Sequence, residues 1–321
     1  MTAWLFKYWR LLRSPLTPVY KLLVQPVVVL MLPLATRLPL PPHNWTLLNL
    51  VLKVAAGLRV IAGNFDIYLI LLLWGGMIAD SIDGAVARHN STSSFFGAYL
   101  DRIVDRAAAS FILSGLFIYL SSRLDNLYVL SLGFSVILVD IWHETLRSWV
   151  SLTGGLLEER DPLPGWEKKL RRCGLIPIYG HDTLFLLLGV GGLFLSPETV
   201  ARSIMLLCTI SFLYQYWVHR RGARQCGKWG EKYRWQLQKR LLWRALGLVV
   251  LTGSGWWLLQ NFNLSIAWLW GIIWFEFYLF YIPANYLMSL SADIPEQPAE
   301  RNKYLEQMQV EDHRFLFRLY P

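Results

Sequence analysis

The chain has 321 residues, of which 55% are hydrophobic and 16 are Trp, with a mean hydropathy of +0.36. That composition excludes a disordered chain and is too apolar for an ordinary soluble domain of this size. The formal net charge of +9 is gathered in basic connections between apolar runs, so membrane topology explains it and nucleic acid is excluded as its reason.

The chain opens with Trp4, Leu5, Phe6, Tyr8, Trp9 and Leu11 interleaved with Lys7, Arg10 and Arg13, a pattern suited to the membrane surface. No small-residue cleavage site follows a short apolar core, so this is not read as a secretory signal. Residues 15–42 are apolar but punctuated by Pro15, Pro18, Pro26, Pro33, Pro39, Pro41 and Pro42, which predicts a kinked or interfacial helix. Residues 1–45 are therefore expected to form an amphipathic segment on the cytosolic surface.

Six apolar runs follow in residues 46–220, each near the ~20 residues that span a bilayer. They are Thr46–Ala62, Ile67–Val86, Phe95–Leu120, Tyr128–Val150, Leu175–Leu195 and Val200–Val218. Lys53 and Arg59 interrupt the first. Residues 221–321 hold a basic, Trp-rich connector, two further spans at Leu241–Leu259 and Leu264–Met288, and a tail of mixed charge. The predicted fold is all-α and polytopic, six core spans plus two C-terminal ones. Residues 1–46, 147–172 and 220–244 are rich in Lys and Arg, whereas the connections near 63–66, 196–198 and 260–263 have none. This alternation places both termini in the cytosol. Cys173, Cys208 and Cys226 have no metal-ligand spacing and read as ordinary thiols.

The most informative stretch lies at the cytosolic ends of the second and third spans. Asp80, Asp83, Gly84, Ala87 and Arg88 are followed by Gly97, Asp101 and Asp105, the pattern D-x-x-D-G-x-x-A-R, eight residues, G-x-x-x-D-x-x-x-D. On a helix Asp80, Asp83, Gly84 and Ala87 share one face, and so do Gly97, Asp101 and Asp105. Two helices thus aim two carboxylates each at one point. Each unneutralised pair at about 4 Å would cost roughly 4 kcal/mol at an effective dielectric of 20. Divalent cations are the natural remedy, and intramembrane carboxylates are rarely without function.

All eight positions resemble the signature of the CDP-alcohol phosphotransferase (CDP-alcohol phosphatidyltransferase) family, integral membrane enzymes that make phospholipid head-group linkages. The resemblance covers about residues 20–220. It implies that Asp80, Asp83, Asp101 and Asp105 hold two divalent cations, Mg²⁺ or Mn²⁺, whose hard character suits oxygen ligands. It assigns Asp105 a second role as general base toward the attacking hydroxyl. Asp80, Asp83, Gly84, Ala87, Arg88 and Gly97 would bind the CDP part of the donor, the glycines letting cytidine approach the backbone and Arg88 pairing with phosphate. It further implies transfer of a phosphatidyl group from a CDP-linked donor to the hydroxyl of a small alcohol, with release of CMP, and a homodimer in the lipid bilayer (the cell inner membrane in a bacterium). The family's Pro-Asn-x-x-Thr strip reads Pro42-His43-Asn44-Trp45-Thr46 here, with Asn displaced by one position.

Two substrate arrangements fit the motif: CDP-diacylglycerol with a water-soluble alcohol, or CDP-choline or CDP-ethanolamine with diacylglycerol. Arg147, Lys168, Lys169, Arg171 and Arg172 favour the first by offering a basic mouth for a polar acceptor, although the same residues also set topology. Arg102, and Arg106 with it, point off the metal face and serve as counter-charges or acceptor contacts. Asp140, His143, Glu144 and Arg147 either line an acceptor pocket or form an internal salt-bridge network, and His181 and Asp182 allow the same two readings. Glu276 lies among aromatics in the last span, with nothing tying it to catalysis. An ion-coupled transporter is the reading from another class; release of CMP discriminates against it, and transporters often carry related halves, of which the sequence has none.

Overall fold

A computed structural model of the chain describes residues 17–225 except 39, 91, 93, 94, 159–164 and 173–179, together with scattered positions between 235 and 257. The described residues form helices and connections, with no strand among them. A π-turn at Tyr20–Val24 runs into α1 (Gln25–Arg37); then come α2 (Pro42–Ile61), α3 (Ile67–His89), α4 (Phe95–Ser121) and α5 (Asn126–Glu158). A short α6 (Gly165–Arg172) and α7 (His181–Leu186) follow, and α7 continues through a π-turn, Leu187–Gly191, to Phe194. The long α8 (Pro197–Gln225) closes the series. Four helical stretches are long and apolar enough to cross a membrane: Tyr20–Arg37, Pro42–Ile61, Ile67–His89 and Ile103–Ser121. The protein is an all-α polytopic membrane protein.

The distribution of side chains on α2 is inside-out. Leu47, Leu48, Val51 and Leu58 are exposed, while Thr46, Asn49 and Lys53 are buried. In water such a helix would turn over; in lipid, apolar groups belong outside and polar groups must find partners within. α2 is the central element, packed against both α3 and α4. Its contact with α4 is close because two glycines meet there: a Cβ on Gly115 would lie 3.1 Å from the Gly57 carbonyl oxygen. The shared core includes Ala56, Val60, Leu69, Leu73, Ile112, Leu116 and Phe117. α2 ends in a turn through Gly63, whose φ of +74° suits glycine. Asp66 then caps α3, accepting from the Leu69 amide at 3.1 Å and pairing with Arg59.

The proline-rich stretch, read from the sequence as a kinked or interfacial helix, is helical. It forms a helix from Tyr20 to Arg37, with Val24, Val28, Val29, Leu32 and Ala35 buried and α1 packed against α3. Pro26 follows the π-turn at the start of α1, and Pro33 lies inside it. The expected fourth, fifth and sixth runs are helical as α5, the broken stretch His181–Phe194, and α8. The seventh is described in part as an apolar helix, Leu241–Ser254, and the eighth, with Glu276, lies outside the described residues.

Candidate active site

The site is built where α2 lies across the facing carboxylate turns of α3 and α4. Asp80 on α3 and Asp101 and Asp105 on α4 bring one carboxylate oxygen each to within 4.8 Å of one another. All three are partly buried. Asp83, one turn further along α3, is buried and accepts a 2.7 Å hydrogen bond from the Thr46 hydroxyl. The signature's four aspartates therefore divide into a converging trio and a neighbour tied to α2.

Two further groups from α2 enter the cluster. The Asn49 amide nitrogen donates to Asp80 Oδ1 at 2.9 Å and to Asp105 Oδ1 at 3.0 Å, bridging α3 to α4. Lys53 donates from Nζ to the same Asp105 oxygen at 2.6 Å. Sequence reasoning missed both. The signal was present, because Thr46, Asn49 and Lys53 follow the same i, i+3, i+7 spacing as Asp80, Asp83 and Ala87. Lys53 read as a blemish in an apolar span because hydropathy scores a charge without asking what faces it.

The donor set fits a hard cation. Asp101 Oδ1 and Asn49 Oδ1 are buried without a hydrogen-bond partner. A buried carboxylate oxygen left without a donor is costly, and an oxygen-preferring divalent ion would satisfy it. The charge count agrees, since Lys53 offsets only one of four closely grouped aspartates when all are ionised. Among the described residues this is the only cluster of His, Cys, Asp or Glu able to hold a metal ion.

The remaining motif residues lie around this centre. Gly84 and Ala87 are half-buried on α3, and the Arg88 guanidinium folds back over Gly84, its Nη1 3.1 Å from where a Cβ would be. The space beside Gly84 is thus occupied by Arg88, the residue expected to meet phosphate. Gly97 lies in the first turn of α4. The π-turn at Tyr20–Val24 packs against α3, which brings the N-terminal helix onto the motif helix.

The expected acceptor residues are placed only by backbone. Arg102 follows Asp101 on α4, Arg147 lies on α5 and Arg171 on α6; their side chains are outside the described residues. Arg106 is buried. His143 has turned away from the carboxylates: its Nε2 lies 3.1 Å from Ser211 Oγ and 2.7 Å from the Gln215 amide nitrogen, both on α8. It ties α5 to α8 through neutral partners, where a salt-bridge network or an acceptor pocket was expected. Asp182 accepts from the Thr17 hydroxyl and, at 3.1 Å, from the Tyr20 amide, anchoring the start of α7 against the N-terminal helix.

Comparisons with known proteins converge on the same region. Residues 40–160, which contain α2, α3, α4 and the whole aspartate motif, match the sequence model of the family described as CDP-alcohol phosphatidyltransferase. An uncharacterized protein of Aquifex aeolicus is 36% identical over 120 residues, 37% of this chain and 59% of that relative. An archaetidylinositol phosphate synthase of Methanothermobacter thermautotrophicus is 34% identical over 84 residues, 26% of this chain and 43% of that relative. The chain thus spans about half the length of the curated relatives it matches, and no solved structure matches it. With the signature spacing and its convergence on paired helix ends, these matches make residues 40–160 similar to the CDP-alcohol phosphatidyltransferase family.

Proposed function

We propose that the protein is a phospholipid-synthesising transferase that moves a phosphatidyl group from CDP-diacylglycerol to the hydroxyl of a water-soluble alcohol. The observation that carries this reading is the convergence of Asp80, Asp101 and Asp105 from two helices, with Asp101 Oδ1 buried and unpartnered. The acceptor oxygen bonds to the phosphorus that bears the lipid, the bond from that phosphorus to the oxygen of CMP breaks, and CMP leaves with the electron pair. Asp105 takes the acceptor proton as general base and later releases it to solvent. Asp80, Asp83, Asp101 and Asp105 would hold two divalent cations, Mg²⁺ or Mn²⁺. These supply a clamp on the diphosphate and offset charge on the leaving group.

The chain's own residues have distinct tasks in this reading. Asn49 keeps Asp80 and Asp105 at a fixed separation, and Thr46 orients Asp83. Gly84, Ala87 and Gly97 leave room for the CDP moiety, and Arg88 swings from its position over Gly84 to a phosphate oxygen. Arg102, Arg147 and Arg171 receive the polar acceptor. Catalysis belongs to residues 46–220, with 1–45 as an N-terminal element, and 221–321 supply no metal ligand. The site and both termini face the cytosol, and the protein works as a homodimer.

Release of CMP tests the proposal. Purified protein with Mg²⁺ or Mn²⁺ is offered CDP-diacylglycerol and a panel of alcohols. The Methanothermobacter relative's name places an inositol phosphate among them. Release of CMP from CDP-choline plus diacylglycerol, with none from CDP-diacylglycerol, overturns the donor. No release from any pair in the presence of either cation overturns the activity.

A further inference from the structure

Lys53 is the one group in the carboxylate cluster that neither the motif nor the proposed reaction uses. It is 2% exposed, in the middle of α2, and its Nζ lies 2.6 Å from Asp105 Oδ1. Its stem runs along Gly76 of α3, where a Cβ would come within 3.0 Å of Lys53 Cγ and 3.3 Å of Cε. Its ammonium stands 5.2 Å from the centroid of the Phe185 ring on α7, itself fully buried. Asp105, Gly76 and Phe185 therefore enclose it on three helices, and rotation into solvent would require repacking all three. A buried lysine so confined is costly unless its charge is used.

We propose that Lys53 is a positioning residue that tunes the cation affinity of the aspartate cluster. Its ammonium holds Asp105 by Oδ1, and it stabilises the grouped carboxylates before a cation arrives. Because it is fixed there, it also competes with an incoming divalent ion for the same negative charge, so that the ion binds more weakly than four aspartates alone would bind it. Asn49 shares the positioning task but carries no charge, which separates the two effects. The inference rests on the proposed metal site.

The test is Mn²⁺ binding to the full-length protein in detergent, without nucleotide, read by electron paramagnetic resonance. Lys53→Met should bind Mn²⁺ about tenfold more tightly than the unaltered protein, equivalent to 1.4 kcal/mol, while its kcat falls because Asp105 is no longer held. A merely structural lysine predicts the opposite sign, since a loosened cluster loses metal. Lys53→Met leaves Asp105 without its cation, so folding is checked by gel filtration. The double variant Lys53→Met/Asp105→Asn, which deletes both charges of the buried pair, provides the independent arm. It should bind Mn²⁺ at least tenfold more tightly than Asp105→Asn alone. Unchanged or weaker binding in Lys53→Met, or equal affinities in the Asp105→Asn pair, overturns the inference while leaving the metal site intact. No Mn²⁺ binding by the unaltered protein overturns the metal reading and this inference together.

Discussion

Asn49→Ala is the most direct probe of how the membrane core and the site are joined. The Asn49 side chain is fully buried and gives one donor each to Asp80 and Asp105, at 2.9 Å and 3.0 Å. Hydrogen bonds to charged groups contribute about 1.5–3 kcal/mol each, so the loss of two should cost roughly 3–6 kcal/mol in a metal-free protein. At about 2 °C or more per kcal/mol in a chain of this size, that is a fall of roughly 5–15 °C in Tm. Much of the loss is like-charge repulsion no longer buffered by the amide, which a cation bound between the carboxylates would offset. Thermal unfolding in detergent with chelator should therefore show the full deficit, and saturating Mn²⁺ should recover more than half of it. The metal-induced rise in Tm should be larger for Asn49→Ala than for the unaltered protein, by linkage of binding to folding. An unchanged Tm in chelator would refute the bridging role. A deficit that Mn²⁺ leaves untouched would refute the view that amide and cation satisfy the same oxygens.

Asp105→Asn should retain binding of the CDP-linked donor but lose about 10²–10⁴-fold in kcat, measured by CMP release, because the base is removed. Gly115→Val should lower the yield of folded protein in membrane extracts, since even a Cβ there would sit 3.1 Å from the Gly57 carbonyl oxygen, a backbone atom with little freedom to move. His143→Ala should cost about 2–4 kcal/mol through lost bonds and a cavity, yet preserve the KM for donor, because His143 faces Ser211 and Gln215 rather than the aspartates. Asp66 supplies a pH-dependent contrast outside the membrane. Desolvation pushes its carboxyl up, but the Leu69 amide and Arg59 outweigh that and hold it below the ordinary carboxylate range. Its contribution to stability is thus present above about pH 4 and lost as pH falls through the depressed value. Asp66→Asn should flatten that part of the acid-unfolding profile, measured by circular dichroism.

The hydropathy of the chain and the spacing of eight residues were enough for the all-α membrane class and for the family resemblance of residues 40–160. Both are one-dimensional properties: a helix in lipid needs only a long apolar run, and a two-helix carboxylate motif needs only the right intervals. The start of α3 was legible at Ile67, whereas α2 begins at Pro42, four residues before the expected Thr46. The N-terminal prolines suggested a kinked helix, and the stretch is helical with a π-turn just before Pro26 and Pro33 in its interior.

What remained hidden was every relation across helices. Composition cannot show that Lys53, an interruption in an apolar span, completes an ion pair with Asp105, or that Asn49 bridges Asp80 and Asp105. Nor could spacing show that His143 turns toward Ser211 and Gln215, away from the carboxylates. The intervals of the aspartates determined which of them share a helix face. Only the packing of α2 between α3 and α4, allowed by the glycine contact at Gly57 and Gly115, decided which groups those faces meet. The reason is physical: a charge in a membrane is tolerable only with its partner, and the partner is fixed by tertiary contact rather than by sequence separation.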